Sequence, residues 1–452
     1  MTETPLYTAL MEHRALHRAA FHTPGHKNNP AALPDDLLSL DFTELPDTDS
    51  LFEAEGPILR AEQAAAQLFG TKRTLFSAGG CSLCIQAMLR LAAPNGGKIL
   101  CGRVVHRSAV NAMALLGLEP VWALPEDLVD AVALHPDVRA AYVTSPNYYG
   151  ELADIPALAA ACREQGIPLL VDNAHGAHLF FTEPVLHPIA LGASMTACSA
   201  HKTLNVMTGG AWLNIADERF VRDAKGAMAL FGSTSPSYPV MASLDWCRAW
   251  LEDNGRLEFS RLQARVRELK KLAERVGLHV PGMGWWEDPR RWDPTRITLD
   301  VTPAELTGQA AAELLRYAGC EPEYADSQFV VLIATPFNTE RDFERLEKGI
   351  RLLADREARA AVPLPRSLGN RHTPHTDGMP PLPPARVPLR DAVLAPSEAV
   401  PLEKCVGRIA ADPACPCPPG VPVVMPGEEI TKDAVDFLRA YGFSSLKVLK
   451  YK

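Results

Sequence analysis

The chain has 452 residues and a hydrophobic fraction of 47%, which suits two or three globular domains with sizeable cores. Its formal net charge is −9, so composition gives no reason to expect nucleic acid or an anionic membrane as a partner. Neither a signal peptide nor a run of roughly 18 apolar residues is present, and we expect a cytoplasmic protein.

The ten cysteines are predicted to be free and mostly buried thiols. Two pairs, Cys81/Cys84 and Cys415/Cys417, have a spacing that metal or redox sites also use. Neither has a second pair at the spacing of a zinc site, so we predict no bound metal.

Residues 1–56 are predicted to form an N-terminal arm that starts with a helix over residues 5–20. The turn Phe21-His-Thr-Pro-Gly-His-Lys27 follows, and its Pro-Gly pair reverses the chain. Two histidines and a lysine at this turn leave two interpretations open, a solvated turn or the edge of an anion-binding site. An extended acidic segment comes next and contains Glu44.

Helices and strands alternate from residue 57 onward. The predicted strands cover residues 74–77, 98–101, 121–124, 140–145, 168–172 and 211–215, and the predicted helices cover residues 57–69, 82–91, 107–116, 125–134 and 155–165. Apolar strands that alternate with helices indicate a mainly parallel sheet covered on both faces. In such sheets, ligands bind beyond the carboxyl ends of the strands.

This large domain is predicted to span residues 57–280 and to close with helices over residues 217–229, 238–252 and 255–276. A small α+β domain follows over residues 281–360, with strands at 296–301 and 329–334 and helices at 303–317 and 339–353. Residues 361–387 are rich in proline and predict a linker or surface loop. Residues 388–452 are predicted to be a C-terminal tail domain.

Several residues that could contact a ligand lie near the ends of predicted strands and are therefore expected to converge. They are Gly79, Gly80, His106, Thr144, Ser145, Asp172 and the segment from Ser199 to Lys202. Lys202 is either ordinary surface charge or a reactive amine held at a strand end. The Gly-rich turn at residues 78–82 opens a helix, where free N–H groups suit a phosphate, although such a turn is often only a turn.

One cofactor needs all of these groups at once. Pyridoxal 5′-phosphate requires a lysine amine for a Schiff base, a carboxylate at the ring nitrogen, a phosphate cup and a group against the ring. Lys202 is the candidate amine and Asp172 the candidate carboxylate. The turn from Gly79 to Ser82, with Ser199 and His201, is the candidate phosphate cup. His106 is the candidate for stacking on the ring.

The chain resembles the Orn/Lys/Arg decarboxylase family of fold-type-I pyridoxal-phosphate enzymes, in its short form without an N-terminal wing domain. The stretches that carry the resemblance keep the family's order along almost the whole chain. They are Phe21-His-Thr-Pro-Gly-His-Lys27, Asp41-Phe-Thr-Glu-Leu45, Thr144-Ser-Pro-Asn-Tyr-Tyr-Gly150, Asp172-Asn-Ala-His-Gly-Ala-His178, Ser199-Ala-His-Lys202, Thr234-Ser-Pro-Ser-Tyr238 and Pro418-Pro-Gly-Val-Pro422.

The resemblance implies a large domain with a mainly parallel sheet of the seven-stranded type and a small C-terminal α+β domain. It implies Lys202, Asp172, His106 and His175 as catalytic residues, with His175 near the ring hydroxyl. The cofactor-binding residues it implies are Gly79, Gly80, Cys81, His106, Asp172, Ala174, Ser199, His201 and Lys202. It also implies a homodimer or larger oligomer with shared active sites, to which the loop from Ser233 to Ser235 contributes.

The function implied is decarboxylation of arginine, lysine or ornithine, a step typical of polyamine biosynthesis. Glu44, Asp326 and Glu428 are candidate partners for a basic substrate side chain, or else solvated or structural acids. The chain departs from the family at Gly80-Cys81, Asn173 and Cys417. Transamination, β-elimination and a catalytically weak regulatory role therefore remain alternatives.

Overall fold

A computed structural model describes residues 15–27, 29–34, 36–283, 288–363, 379–417 and 420–450. The strands are β1 Ala19–Phe21, β2 Arg73–Ser77, β3 Gly97–Gly102, β4 Leu118–Ala123, β5 Val138–Thr144, β6 Leu169–Asp172, β7 Met195–Cys198, β8 Ala211–Ile215, β9 Arg296–Asp300, β10 Cys320–Pro322, β11 Tyr324–Ala325, β12 Phe329–Ile333, β13 Ser397–Pro401 and β14 Ser445–Leu449.

The α-helices alternate with these strands in the first half of the chain. They are α1 Pro57–Phe69, α2 Gly80–Ala92, α3 Arg107–Leu116, α4 Leu128–Leu134, α5 Ile155–Glu164, α6 Ala200–Thr203, α7 Ala224–Ala229, α8 Tyr238–Arg275, α9 Gly308–Tyr317, α10 Glu340–Ala354, α11 Arg356–Ala360, α12 Leu389–Leu394 and α13 Lys432–Ala440. No helix of the described residues is long and apolar enough to cross a membrane.

A seven-stranded sheet in the order β2-β8-β7-β6-β5-β3-β4 forms the centre of the structure. Strand β8 runs antiparallel to both of its neighbours, and the other adjacent pairs are parallel. Strands β6, β7 and β8 are buried along their full length, because helices cover both faces of the sheet. The predicted mainly parallel seven-stranded sheet is confirmed.

A smaller antiparallel sheet, in the order β11-β12-β9, follows in the chain, and β13 pairs with β14 in the C-terminal region. The small sheet packs with α9 and α10 into the same apolar core as α8 and part of the large sheet. The domain boundaries drawn from the sequence stay predictions, and residues 364–378 of the proposed linker lie outside the described residues.

Helix α8 corrects the prediction of two helices separated near residue 253. It is continuous over 38 residues. Gly255, which was read as a boundary, lies inside the helix, where an added Cβ would be 2.7 Å from a ring carbon of Phe181. The glycine is therefore explained by close packing against an aromatic ring and not by a helix end.

The N-terminal arm also differs from its prediction. Residues 1–14 lie outside the described part, but the predicted helix does not reach residue 20, because Ala19–Phe21 is a strand that pairs in parallel with β10. This pairing satisfies the backbone groups of a segment whose Ala19 and Phe21 are buried.

The turn after β1 connects the small sheet to the short helical segment that contains Lys202. The N–H of Gly25 donates to the carbonyl of His201 at 2.7 Å, and the carbonyl of Gly25 accepts from the hydroxyl of Thr335 at 2.8 Å. Lys27 is half-buried and donates to the carbonyls of His22 and Ile333. Burial lowers the pKa of Lys27 to about 7. The Lys27 amine is thus bonded within the protein, and the choice between a solvated turn and the edge of an anion-binding site stays a prediction.

A buried ion pair holds the C-terminal region against the large sheet. The guanidinium of Arg103, which follows β3, donates to both carboxylate oxygens of Glu428 at 2.6 and 2.7 Å. Its other contacts are the carbonyls of Pro422 and Val423. Both side chains are almost fully buried. Such a pair is costly to break, since the partner left behind keeps an uncompensated charge.

We expect Glu428→Ala to lower the free energy of unfolding by about 3–5 kcal/mol, because it strands the buried Arg103 guanidinium. The double variant Arg103→Met/Glu428→Leu removes both charges and should recover most of that loss. Urea denaturation of the three proteins measures both effects. A single variant as stable as the parent would contradict the role given to this pair.

We expect Gly25→Ala to cost about 1–3 kcal/mol of stability, because the new Cβ would overpack the backbone beside it. That Cβ would lie 2.6 Å from the nitrogen of Leu204 and 2.7 Å from the carbonyl carbon of Thr203. Gly226→Ala is the matched control, since its Cβ in α7 meets nothing within 4 Å. Thermal denaturation should show a loss for the first variant and no loss for the second.

Candidate active site

A cavity of about 620 Å³ opens beyond the carboxyl ends of β5, β6 and β7. Its walls come from the starts of α2 and α3, from the segments that follow β5, β6 and β7, from Tyr324 and from the C-terminal region. The structure brings most of the predicted site residues together here, namely Gly80, Cys81, His106, Asp172, Ala174, His175, Ser199, His201 and Lys202.

Asp172 ends β6 and is almost completely buried at this cavity. Its Oδ2 accepts a hydrogen bond from the hydroxyl of Tyr142 at 3.2 Å, and its Oδ1 accepts from the N–H of Ala174 at 3.1 Å. Burial raises the pKa of this carboxyl above its usual range, and the nearby Lys202 offsets only part of that effect. Among the described residues, no cation lies within ion-pair distance of it. The site therefore favours a positively charged partner for Asp172.

Lys202 lies in the short helix α6, directly after β7. Its Nζ is 3.0 Å from Nε2 of His175. Burial lowers the pKa of Lys202 and lowers the pKa of His175 well below its usual range. Both shifts favour the neutral form of the Lys202 amine, which is its nucleophilic form.

Arg296, at the start of β9, lies beside the other ring nitrogen of His175. Its Nη2 lies 3.5 Å from Nδ1 of His175 and 3.4 Å from the His175 carbonyl oxygen. A guanidinium can only donate, so this contact favours the His175 tautomer in which Nδ1 accepts and Nε2, the nitrogen facing Lys202, carries the proton.

The start of α2 modifies the predicted phosphate cup. The N–H of Gly79 donates to Oγ of Ser77, and that of Gly80 donates to the carbonyl of Gly209 at 2.8 Å. Gly79 does not line the cavity, whereas Cys81 and Ser82 do. Within the described residues, no side chain caps the first turn of this helix. The groups suited to an anion are thus the N–H groups of Cys81 and Ser82 and the positive end of the helix dipole.

Ser199, His201 and His106 surround the same opening. Ser199 is buried and begins α6. His106 begins α3, where its Nδ1 accepts from the N–H of Ser108 at 3.2 Å, so that its ring is held at the rim of the cavity. Burial lowers the pKa of both His106 and His201, and this favours neutral imidazoles.

The substrate candidates lie outside the lining of the cavity. Glu428 pairs with Arg103, which favours the alternative of a structural acid over that of a substrate partner. Glu44 lies in the N-terminal arm and accepts from the hydroxyl of Thr43. Asp326 is buried behind Tyr149, whose hydroxyl donates to it at 2.8 Å. The loop from Ser233 to Ser235 is exposed, and its predicted contribution to a neighbouring subunit stays a prediction.

Sequence reasoning missed several residues of the cavity. Tyr142 was overlooked, although strand alternation and the register of Thr144 with Asp172 place it on the same face as that carboxylate. Tyr148 and Tyr149 were quoted only as part of a motif. Tyr324 and Cys415 reach the cavity from regions distant in sequence, and no local pattern marks them.

Residues 4–283 match the profile of the Orn/Lys/Arg decarboxylase major domain, and residues 384–445 match that of the C-terminal domain. The chain belongs to this family. It is 29% identical to the arginine decarboxylase of Bacillus subtilis (strain 168) over 96% of this chain and 93% of the relative. Identity to the arginine decarboxylase of Bacillus anthracis is 30%, over 97% of this chain and 92% of the relative.

The fold is shared with solved structures of lower identity. Lysine decarboxylase A from Pseudomonas aeruginosa has a TM-score of 0.75 at 20% identity, covering 99% of this chain and 80% of that chain. An SPT structure with PLP has a TM-score of 0.60 at 15% identity, covering 76% of this chain and 88% of that chain. The predicted fold-type-I architecture is confirmed.

We expect Asp172→Asn to stabilise the ligand-free chain near pH 8 and to change little near pH 4. The unfolded carboxyl has a pKa of about 3.9 and the folded one lies higher, so the folded state binds more protons between these values. Wild-type stability therefore falls as pH rises through that window, and the variant lacks this loss. Urea denaturation of both proteins at both pH values measures the difference in stability. Equal stabilities of the wild-type protein and the variant at pH 8 would contradict a cost of burying the Asp172 charge.

Proposed function

We propose that the chain decarboxylates a basic amino acid, with arginine as the first substrate to test, and that it uses pyridoxal 5′-phosphate. The carrying observation is geometric: the Lys202 amine lies 3.0 Å from His175 Nε2, in one cavity with the buried Asp172. The family match and the arginine decarboxylases among the relatives favour decarboxylation over transamination, β-elimination and a regulatory role.

The residues fit this cofactor. Asp172 has no cationic partner in the described part of the chain and suits a protonated ring nitrogen, which would remove the cost of its buried charge. The N–H groups of Cys81 and Ser82, with Ser199 and His201, suit the phosphate. His106 and Ala174 would contact the two faces of the ring. When bound, the cofactor supplies an electron sink for the pair released as CO2 leaves.

The chain's own residues then have distinct tasks. Lys202 Nζ, whose pKa burial lowers, would provide the amine that holds the cofactor. Asp172 would keep the proton on the ring nitrogen. The bond between the α-carbon and the carboxylate breaks, CO2 leaves and the α-carbon gains one proton. Lys202 Nζ and His175 Nε2 are the groups able to deliver that proton, since both lie in the cavity and are 3.0 Å apart.

A homodimer or larger oligomer with shared active sites is also proposed, together with a cytoplasmic location. Support comes from the family match and from the exposed loop at Ser233 to Ser235, which the resemblance assigns to the neighbouring active site.

We expect the purified protein with added pyridoxal phosphate to release CO2 and the corresponding amine from arginine, lysine or ornithine. Lys202→Ala should lower kcat by at least about a thousandfold, and Asp172→Asn by about a hundredfold or more. Lys271→Ala, at an exposed lysine of α8 paired with Glu268, is the matched control and should keep full activity. Product analysis by mass spectrometry and CO2 capture measures both products.

Two outcomes would contradict this proposal. Formation of a keto acid in place of an amine would identify another reaction of the same cofactor. No product from any of these amino acids, with cofactor absorbance unchanged by Lys202→Ala, would remove the enzymatic assignment.

A further inference from the structure

Three tyrosines line one side of the cavity. Tyr148 and Tyr149 follow β5, and Tyr324 belongs to β11 of the small sheet. The ring centroids of Tyr148 and Tyr324 are 4.9 Å apart, and their planes meet at 72°. Tyr149 and Tyr324 are 6.4 Å apart at 73°. Tyr324 thus stands at nearly right angles to each of the other two rings, and the three tyrosines come from the segments of two different sheets.

Carboxylates outside the cavity hold two of the phenol groups. The hydroxyl of Tyr148 donates to Oε1 of Glu323 at 2.8 Å, and that of Tyr149 donates to Oδ2 of Asp326 at 2.8 Å. Neither acid lines the cavity, whereas the tyrosines do. A phenol that donates to a carboxylate gains electron density, and this strengthens the negative face of its ring.

These rings stand at a short distance from Lys202. Nε2 of His175 is 3.0 Å from Lys202 Nζ, and the ring centroid of His175 is 4.9 Å from that of Tyr148. An amino acid whose α-amine is bound at Lys202 could therefore extend its side chain to the tyrosines. The buried cation behind His175, Arg296, has the carboxylate of Asp293 3.9 Å away.

We propose that Tyr148, Tyr149 and Tyr324 form a cage that binds the distal cation of the substrate side chain through their ring faces. This proposal rests on the proposed function and names its specificity element. Glu323 and Asp326 act through the phenol groups and do not contact the substrate directly. Asp326, a candidate from the sequence, is thereby moved from direct contact to a supporting position.

Cation–π attraction explains why a cage of this kind selects a charged side chain. A guanidinium or ammonium over aromatic faces gains attraction that a neutral group of the same shape does not. The gain is larger where water is excluded, and Tyr149 is buried at the cavity wall. Arginine offers the better match because its planar guanidinium stacks on aromatic rings and is weakly hydrated.

The direct test uses n-butylguanidinium, which has no α-amine, and its uncharged isostere n-butylurea. Calorimetry on the cofactor-loaded protein should show that n-butylguanidinium binds about tenfold more tightly than n-butylurea, or tighter still. Tyr324→Leu should remove most of that preference, and Tyr324→Phe should keep it to within about threefold because the ring remains. Tyr317→Leu, at an exposed tyrosine, is the matched control.

Equal affinities of the two probes for the wild-type protein would overturn the cage. So would a folded Tyr324→Leu variant with an unchanged preference. Tyr148→Leu, at a partly exposed ring, decides the matter if Tyr324→Leu does not fold. Failure of the proposed function is a separate result, because it appears as no release of CO2 from any amino acid. Failure of the cage leaves CO2 release intact and appears only in the binding of the two probes.

Discussion

A single buried carboxylate, Asp172, sets the requirement that the surrounding site has to meet. The large sheet places it at the end of β6, where burial raises its pKa. Tyr142 and the N–H of Ala174 satisfy its oxygens as hydrogen-bond acceptors, but neither supplies positive charge. Burial also lowers the pKa of Lys202, which makes it a weaker source of positive charge. The site therefore favours an incoming group that carries the balancing charge.

The cavity depends on parts of the chain that lie far apart in sequence. The large sheet supplies its floor, the small sheet supplies Tyr324, and the C-terminal region supplies Cys415, Cys417 and Gly420. The Arg103–Glu428 pair holds that last region in place, because the guanidinium also bonds the carbonyls of Pro422 and Val423 close to the cavity wall. An ion pair outside the lining of the cavity therefore helps to maintain the shape of the cavity.

The sequence allowed us to predict the site residues that lie at the ends of strands. It did not reveal contacts between residues that are far apart in the chain. Asp172 and Lys202 follow successive strands of a parallel sheet, so their convergence could be predicted from the topology. The sequence left Glu428 open between a substrate ligand and a structural acid, because its partner Arg103 is 325 positions away. Tyr324 was missed for the same reason. Gly255 was placed at the start of a separate helix, since only the folded packing shows Phe181 against it.

The peptide at Gly25 bonds His201, in the short helix that holds Lys202, on one side and Thr335, after the small sheet, on the other. These two hydrogen bonds connect the N-terminal arm to the segment of Lys202 and to the small sheet, which contains Tyr324. A displacement of the small sheet relative to the large one would have to break these two bonds or carry the turn with it. The two ends of the cavity, at Lys202 and at Tyr324, therefore share one structural constraint.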